Sequence, residues 1–249
     1  MEKTNSFTQG NMRTIYISLA VIIAAVVLTF AVINRNKNDE QIKVTGLGEK
    51  DFQSDLIVWN GTFSQTGTTL KDAYEKLNND QEKIKVFLGN KNINNKEIVF
   101  SAVNIGKEYE DVEDRKGNRI QKQIGYRLQQ NVKIESNDIE KIENVSREIT
   151  ELINNGVEFY SQEPQYYFTR LNDLKIELIE LATKNGKERA EKIAEKSGYK
   201  LGKLKYANLG VFQIIAQNSN KDYSWSGSYD TFSKNKTATI TIRMQFGIR

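Results

Sequence analysis

The chain contains neither cysteine nor histidine. It therefore offers no thiol nucleophile, no Cys/His metal site, no Ser-His-Asp triad and no histidine acid–base catalyst. The 36 basic and 32 acidic residues leave a formal charge of only +4, without the concentrated basic surface of a nucleic-acid-binding protein. We predict no cofactor, no metal and no nucleic-acid partner. With 38% hydrophobic residues, the 249-residue chain is long enough for one sizeable core.

An uncharged, apolar run lies near the N-terminus. No charged residue occurs from Thr14 to Asn34, and the stretch 15–33 would form a helix of roughly 30 Å, the thickness of a bilayer core. A cleaved signal peptide is the alternative. Its apolar core usually covers about 7–15 residues and ends at a small-x-small site, whereas no Ala-x-Ala pattern follows this run. The run therefore favours an uncleaved anchor that contacts the lipid bilayer.

This interpretation divides the chain into four parts. They are a short cytoplasmic tail at 1–13, a transmembrane signal-anchor at 14–33, a polar tether at 34–41 and a folded domain at 42–249. The short tail, the absence of cysteine and the long polar C-terminal part favour a single-pass protein of the cytoplasmic membrane. We expect its N-terminus inside and its C-terminal domain outside, in the periplasmic or extracellular space.

Hydrophobic periodicity after residue 42 alternates between helix and strand spacing. Helical spacing predicts three amphipathic helices, at 70–88, 139–153 and 171–197. Alternation of apolar and polar residues predicts strands, most clearly at 126–134 and 240–248 and less regularly at 42–48, 55–66, 97–108, 157–168 and 203–215. Strands with one polar face are typical of an antiparallel sheet covered by helices on its other face. We predict an α+β fold of antiparallel sheet packed with about three amphipathic helices, preceded by one transmembrane helix.

Four short segments resemble those of a known family. They are Ile93–Ile98 between a helix and a strand, Gly125-Tyr126-Arg127 opening a strand, Ala182–Lys203 with spaced alanines followed by Leu-Gly-Lys, and the alternating Thr239–Phe246. In this order they resemble the SIMPL-domain family of bacterial extracytoplasmic proteins, over residues 42–249. The resemblance implies an envelope-located domain that forms oligomers in some members and is sometimes linked to oxidative stress. The family supplies no established catalytic residues, so we predict no catalytic site.

Glycines give two further expectations. Gly46 and Gly48 form half of a dinucleotide-binding fingerprint, but no third glycine follows, so a tight bend between two strands is the simpler interpretation. Gly186 lies at four-residue steps from Ala182 and Ala190, which implies a close approach of this helix face to the sheet. Helix propensity alone predicts that Gly186→Ala is neutral or stabilising.

The acidic segment from Glu108 to Asp114 contains the ligand type that calcium prefers, but it lacks the spacing of a calcium loop. We interpret it as the solvated tip of a hairpin between 97–108 and 120–135.

The polar segment 217–236 is the principal candidate contact surface. It is longer than most connections in compact domains and carries four aromatic residues among Ser, Gly and Asn: Tyr223, Trp225, Tyr229 and Phe232. Such a composition resembles that of adaptable binding surfaces. The loop either packs its rings on its own domain or presents them to a partner protein, another subunit or a glycan.

The sequence favours a function by binding or oligomeric assembly in the cell envelope, with a second copy or an envelope protein as partner. The alternatives are an envelope hydrolase or glycan-processing enzyme with paired carboxylates, and a purely structural envelope protein.

Overall fold

A computed structural model describes residues 6–36, 40–113, 118–219, 224 and 226–249, with only the backbone at 6–14 and 32–36. The helices are α1 (Ser6–Asn36), α2 (Leu70–Asn90), α3 (Ile139–Glu148), α4 (Glu151–Asn154) and α5 (Leu171–Lys196), with a short 3-10 helix at Asn95–Glu97. The strands are β1 (Gln41–Gln53), β2 (Leu56–Gly67), β3 (Ile98–Phe100), β4 (Asn104–Glu113), β5 (Arg119–Ser136), β6 (Phe159–Ser161), β7 (Gln165–Tyr167), β8 (Leu201–Leu209), β9 (Gln213–Ala216) and β10 (Asn235–Ile248). The predicted α+β class with antiparallel sheets is confirmed.

The chain divides into two compact units. The first comprises Met1–Glu49, Glu177–Val211 and Thr239–Arg249, and the second comprises Lys50–Ile176 and Phe212–Ala238. Elements β1, β10 and α5 contribute residues to both units. One sheet has the order β1-β10-β8, with β9 also paired to β10.

The second unit is built around β2, which pairs along its length with β5. Its sheet has the order β3-β5-β2-β6, with β4 added to β5 and β7 added to β2. Helix α2 begins at Thr69, whose hydroxyl accepts the N–H of Asp72, and α3 begins at Asp138, whose carboxylate accepts the N–H of Lys141. The apolar faces of these helices bury a continuous core whose largest fully buried members are Trp59, Phe63, Ile57, Leu77, Ile84, Leu88, Leu128, Ile134, Ile142, Ile149 and Leu152.

Three predicted strands are interrupted, and the two halves of each pair with separate parts of one partner strand. The stretch 157–168 forms β6 and β7, which pair with separate parts of β2 on either side of Pro164. The stretch 97–108 forms β3 and the start of β4, and between them the N–H of Ser101 donates to the Asn131 carbonyl. The stretch 203–215 ends its first part at Leu209, after which Gly210 donates to the Thr241 carbonyl. The predicted hairpin forms between β4 and β5, while its tip at 114–117 lies outside the described residues.

The expectation of a bend at Gly46 and Gly48 is wrong, because both glycines lie inside strand β1. A Cβ atom at Gly46 would overlap the carbonyl oxygen of Ala182, and one at Gly48 would overlap that of Leu178. The backbone of α5 therefore lies directly on the backbone of β1, without a side chain between them. The predicted close approach of the helix face containing Gly186 to the sheet is confirmed.

Helix α1 is continuous from Ser6 to Asn36, and its described side chains, 15–31, are all exposed. Within the described part of the chain, no helix has the length and apolarity required of a membrane span. Positions 37–39 of the predicted tether lie outside the described residues, and β1 begins at Gln41.

The contact between α5 and β1 predicts opposite effects for two glycine substitutions. We expect Gly46→Ala to lower the free energy of unfolding by about 1–3 kcal/mol or more, because backbone must move to admit the methyl group. The matched control is Gly89→Ala in α2, where nothing lies within 4 Å of the added Cβ, so it should raise stability by about 0.5–1 kcal/mol.

In urea unfolding, we expect Gly186→Ala to gain less stability than the Gly89→Ala control. A Cβ at Gly186 would overlap the methyl group of Met244 and lie 3.1 Å from the Gly46 Cα, which opposes the gain in helix propensity. Equal stability of Gly46→Ala and wild type would contradict the close approach.

Candidate functional site

The predicted contact loop connects β9 to β10 in the second unit. Of its four predicted contact residues, Tyr223 and Trp225 lie outside the described residues. Tyr229 is 43% exposed and Phe232 is 56% exposed. The loop therefore carries two exposed rings within its described part.

Backbone hydrogen bonds fix the second half of this loop to its own unit. Ile214 donates to the Ser228 carbonyl at 2.7 Å and accepts from the N–H of Asp230 at 3.0 Å. The N–H of Tyr166 in β7 donates to the Thr231 carbonyl at 2.7 Å. These bonds hold the backbone of residues 228–231 in place. A surface that is already ordered pays a lower entropic cost when it binds another molecule.

The side chain of Gln213 holds the loop at a further point. This residue is buried, and its Nε2 donates to the Ser224 carbonyl while its Oε1 accepts the Ser224 N–H, both at 3.1 Å. Ser224 lies in sequence between the two predicted contact residues outside the described part. The amide of Gln213 thus holds the backbone of Ser224 at both its N–H and its carbonyl group.

Lys236 is the buried centre of the site, with a relative exposure of 1%. Its Nζ donates to the Tyr166 carbonyl at 3.0 Å and to the Asp230 carbonyl. Burial lowers the pKa of Lys236, and the charge of Asp230 opposes this effect. The Asp230 carboxylate also accepts the N–H of Phe232 at 3.2 Å. One buried ammonium group therefore connects β7, the loop and the start of strand β10.

The two exposed rings differ in their surroundings. Partial burial raises the pKa of the Tyr229 hydroxyl, while a hydrogen bond to the backbone of Phe168 acts in the opposite direction. Tyr229 is therefore partly packed on its own unit. Phe232 is more exposed, and its backbone N–H donates to the Asp230 carboxylate. In the described part of the loop, one ring is therefore partly packed on its own unit and the other is directed to solvent.

Carboxylates near the loop accept structural hydrogen bonds. Asp51 accepts from the side chains of Gln217 and Thr237, which lie at the two ends of the loop. Glu143 accepts the hydroxyl of Tyr166 at 2.9 Å and lies 3.7 Å from the ammonium of Lys234. Burial, followed by the Glu143 carboxylate, raises the pKa of Tyr166 to about 12, so this hydroxyl remains a donor at neutral pH.

The sequence-based prediction missed Lys236 and Asp230, which lie in a polar segment, and Gln213, which is the one polar residue in the apolar run 211–216. One signal was available for Lys236. The inward series of β10 runs through Ala238 and Ile240, and a period of two extends it back to position 236.

The other candidate clusters lie apart from this loop. In the acidic segment, Glu108 forms an ion pair with Arg127 across the hairpin, and Asp114 lies outside the described residues. No group of three or more acidic side chains is arranged to hold a metal ion in the part of the chain that the structure describes.

The first unit has an open groove of about 710 Å³ between the start of β1 and α5. Its lining residues are Lys43, Val44, Thr45, Asn185, Glu188, Arg189, Lys192 and Ile193. Two of them connect the helix to the strand, since Asn185 accepts the N–H of Leu47 at 3.1 Å and Arg189 donates to the Thr45 carbonyl at 3.2 Å.

The buried ammonium group gives a direct test of loop anchoring. We expect Lys236→Met to lower the free energy of unfolding by about 2–4 kcal/mol, because two carbonyls and a buried carboxylate lose their cation. The same variant should be cut faster by protease within 217–235. The control is Lys71→Met, since the side chain of Lys71 is 86% exposed and its loss should change neither property. Unchanged protease resistance in Lys236→Met would contradict the anchoring role.

Comparison with known proteins identifies the family. The model of the SIMPL family, described as a protein of unknown function (DUF541), matches residues 42–246. A search of curated proteins finds no match to this chain. The matched residues extend from the second residue of strand β1 to Phe246 near the end of strand β10, and they include the loop between β9 and β10. The resemblance carried by the four sequence segments is thereby confirmed, and the chain belongs to the SIMPL family.

Proposed function

We propose that this protein is a membrane-anchored SIMPL domain of the cell envelope that acts by contact with other proteins and not by catalysis. Helix α1 would cross the cytoplasmic membrane with its N-terminus inside, and the domain from residue 42 would lie outside. The contacts would be made to a second copy or to an envelope partner. The link to oxidative stress implied by the family resemblance stays a prediction.

Two observations support the anchor. No charged residue occurs from Thr14 to Asn34, and a charge near the centre of a bilayer is costly. The apolar side chains between 15 and 31 are exposed on every side of α1, so they have no protein partner within the described chain. A bilayer would remove this apolar surface from water.

The observation that carries the contact function is the exposure of Phe232 on an ordered loop. A large apolar ring in water gains free energy when a partner covers it, and aromatic anchors dominate many protein interfaces. The described part of the loop is held by the buried Lys236 and by Gln213, so binding would not require that part to fold. The acceptor roles of Asp51 and Glu143 also support a structural use of these carboxylates.

The proposed topology predicts selective labelling of a cysteine-free chain. A cysteine in place of Lys71, which is 86% exposed, should react with a membrane-impermeant maleimide on intact cells. Asn5→Cys, which precedes the apolar run, should react only after lysis. Ser136→Cys is the control for folding, because Ser136 is 5% exposed and should stay unlabelled until the protein is denatured. Labelling of Asn5→Cys but not Lys71→Cys on intact cells would reverse the proposed orientation.

The contact function predicts a crosslink from Phe232. A photoreactive phenylalanine analogue at this position should form an adduct in native membranes, whose mass identifies either a second 28.6 kDa chain or another protein. The matched control is the same analogue at Tyr74, which is 54% exposed on α2. We expect at least about ten-fold more adduct from position 232, as for a residue at the centre of an interface. Equal yields at the two positions would exclude the loop as a contact.

A further inference from the structure

Two strands present open edges. Among the described strands, β4 pairs only with β5, and β8 pairs only with β10. All but two residues in each strand are exposed. The outer edge of such a strand presents backbone donors and acceptors on which another strand can pair.

The two edges carry opposite charge. Strand β4 contains four acidic residues and one lysine, a formal charge of −3, through Lys107, Glu108, Glu110, Asp111 and Glu113. Glu108 is ion-paired with Arg127 of β5, so the selecting charge rests on Glu110, Asp111 and Glu113. Strand β8 contains no acidic residue and two lysines, Lys203 and Lys205, a formal charge of +2, and Lys200 directly precedes it.

Both edges also carry exposed apolar side chains. They are Ile105 and Tyr109 on β4, and Leu204, Tyr206 and Leu209 on β8. A strand that only has to resist aggregation gains nothing from exposed isoleucine, tyrosine and leucine, since these favour association. Each edge therefore combines exposed apolar side chains, which favour contact, with charged side chains of one sign, which would select the partner edge.

Charge on an edge strand often serves to prevent edge-to-edge pairing, and here it does so selectively. Two β4 edges would bring acidic residues together, and two β8 edges would bring lysines together, so each like pair is repelled. A β4 edge and a β8 edge attract each other. The sign pattern disfavours symmetric pairing and leaves one combination open.

The geometry points to a head-to-tail assembly in which strand β4 of one copy adds to strand β8 of the next. This inference rests on the proposed contact function and names a second copy of the chain as the partner. Because the two surfaces differ, the contact is heterologous and generates a closed ring or an open row. Anchors in one bilayer would keep the copies close together and make a weak edge contact effective.

The first test is crosslinking of the full chain in vesicles of phosphatidylcholine and phosphatidylglycerol. One copy carries Glu110→Cys on β4 and a differently tagged copy carries Ala207→Cys on β8, and a flexible bismaleimide joins cysteines across a range of registers. We expect about ten-fold more heterotypic product than from the control pair Lys71→Cys and Ala207→Cys, because steered contacts exceed random encounters by such factors. Glu110→Cys alone and Ala207→Cys alone should stay at the control level.

The second test measures fluorescence energy transfer between copies that carry a donor or an acceptor dye at Lys71→Cys. The charge of one edge or of both edges is then reversed. Reversal of β4 by Glu110→Lys with Asp111→Lys, or of β8 by Lys203→Glu with Lys205→Glu, should weaken association about ten-fold or more. A chain with both reversals should regain association, because its edges again have opposite charge. Each variant is also checked for an unchanged unfolding midpoint, since only folded variants report on the contact.

The outcomes separate this inference from the proposed function. Energy transfer between wild-type copies without selective β4 to β8 crosslinking, or without rescue by the double reversal, would overturn the edge contact and leave assembly through another surface. Absence of energy transfer between wild-type copies would overturn both the edge contact and self-assembly. In that case the Phe232 crosslink to a different protein would still test partner binding independently.

Discussion

The backbone of helix α5 lies directly on strand β1, and the first unit depends on this contact. It excludes side chains at Gly46 and Gly48 and requires small residues on the facing side of the helix, where Ala182 lies. Close packing brings α5 near enough for the side chain of Asn185 to accept the N–H of Leu47. Because β1 begins the matched domain, the same contact holds its first strand against α5. A methyl group at Gly46 or Gly48 would therefore disturb the packing of the first unit.

The fold class and most elements could be predicted because hydrophobic periodicity is a local property. Helix α2 was placed within two residues of its observed ends, and the last strand, β10, was placed correctly except that it begins five residues earlier than predicted, since each has one apolar face against a core. The interruptions could not be predicted, because they depend on distant partners. Strands β6 and β7 are separate only because different parts of β2 receive them. Gly46 and Gly48 were misassigned to a bend for the same reason, since the helix backbone that requires them is far away in sequence.

The sequence predicts which residues the candidate loop contains. It does not predict which buried side chains hold that loop in place. Aromatic residues in a long polar loop predict a contact surface, and in the described part of that loop Phe232 is exposed while Tyr229 is partly buried. Lys236 and Asp230, which help to hold the loop, are polar residues in a polar segment, and only their burial distinguishes them. Lys236 has an unusual position, because a buried ammonium group needs several oxygen acceptors to offset its desolvation. Carbonyls from β7 and from the loop supply them, so the order of the loop and the tolerance of the buried charge depend on each other.

The predicted contact loop and the charged edges of strands β4 and β8 would serve different parts of one function. A ring such as that of Phe232 gains free energy from almost any apolar partner and gives little directional information. Strand edges of opposite sign give direction, because they reject a copy turned the wrong way and accept one turned the right way. Salt weakens this selection between exposed charges beyond a Debye length of about 8 Å at physiological ionic strength, whereas backbone pairing at an edge is a short-range interaction. Charge would therefore select the orientation of neighbouring copies, and the strand contact would hold it once formed.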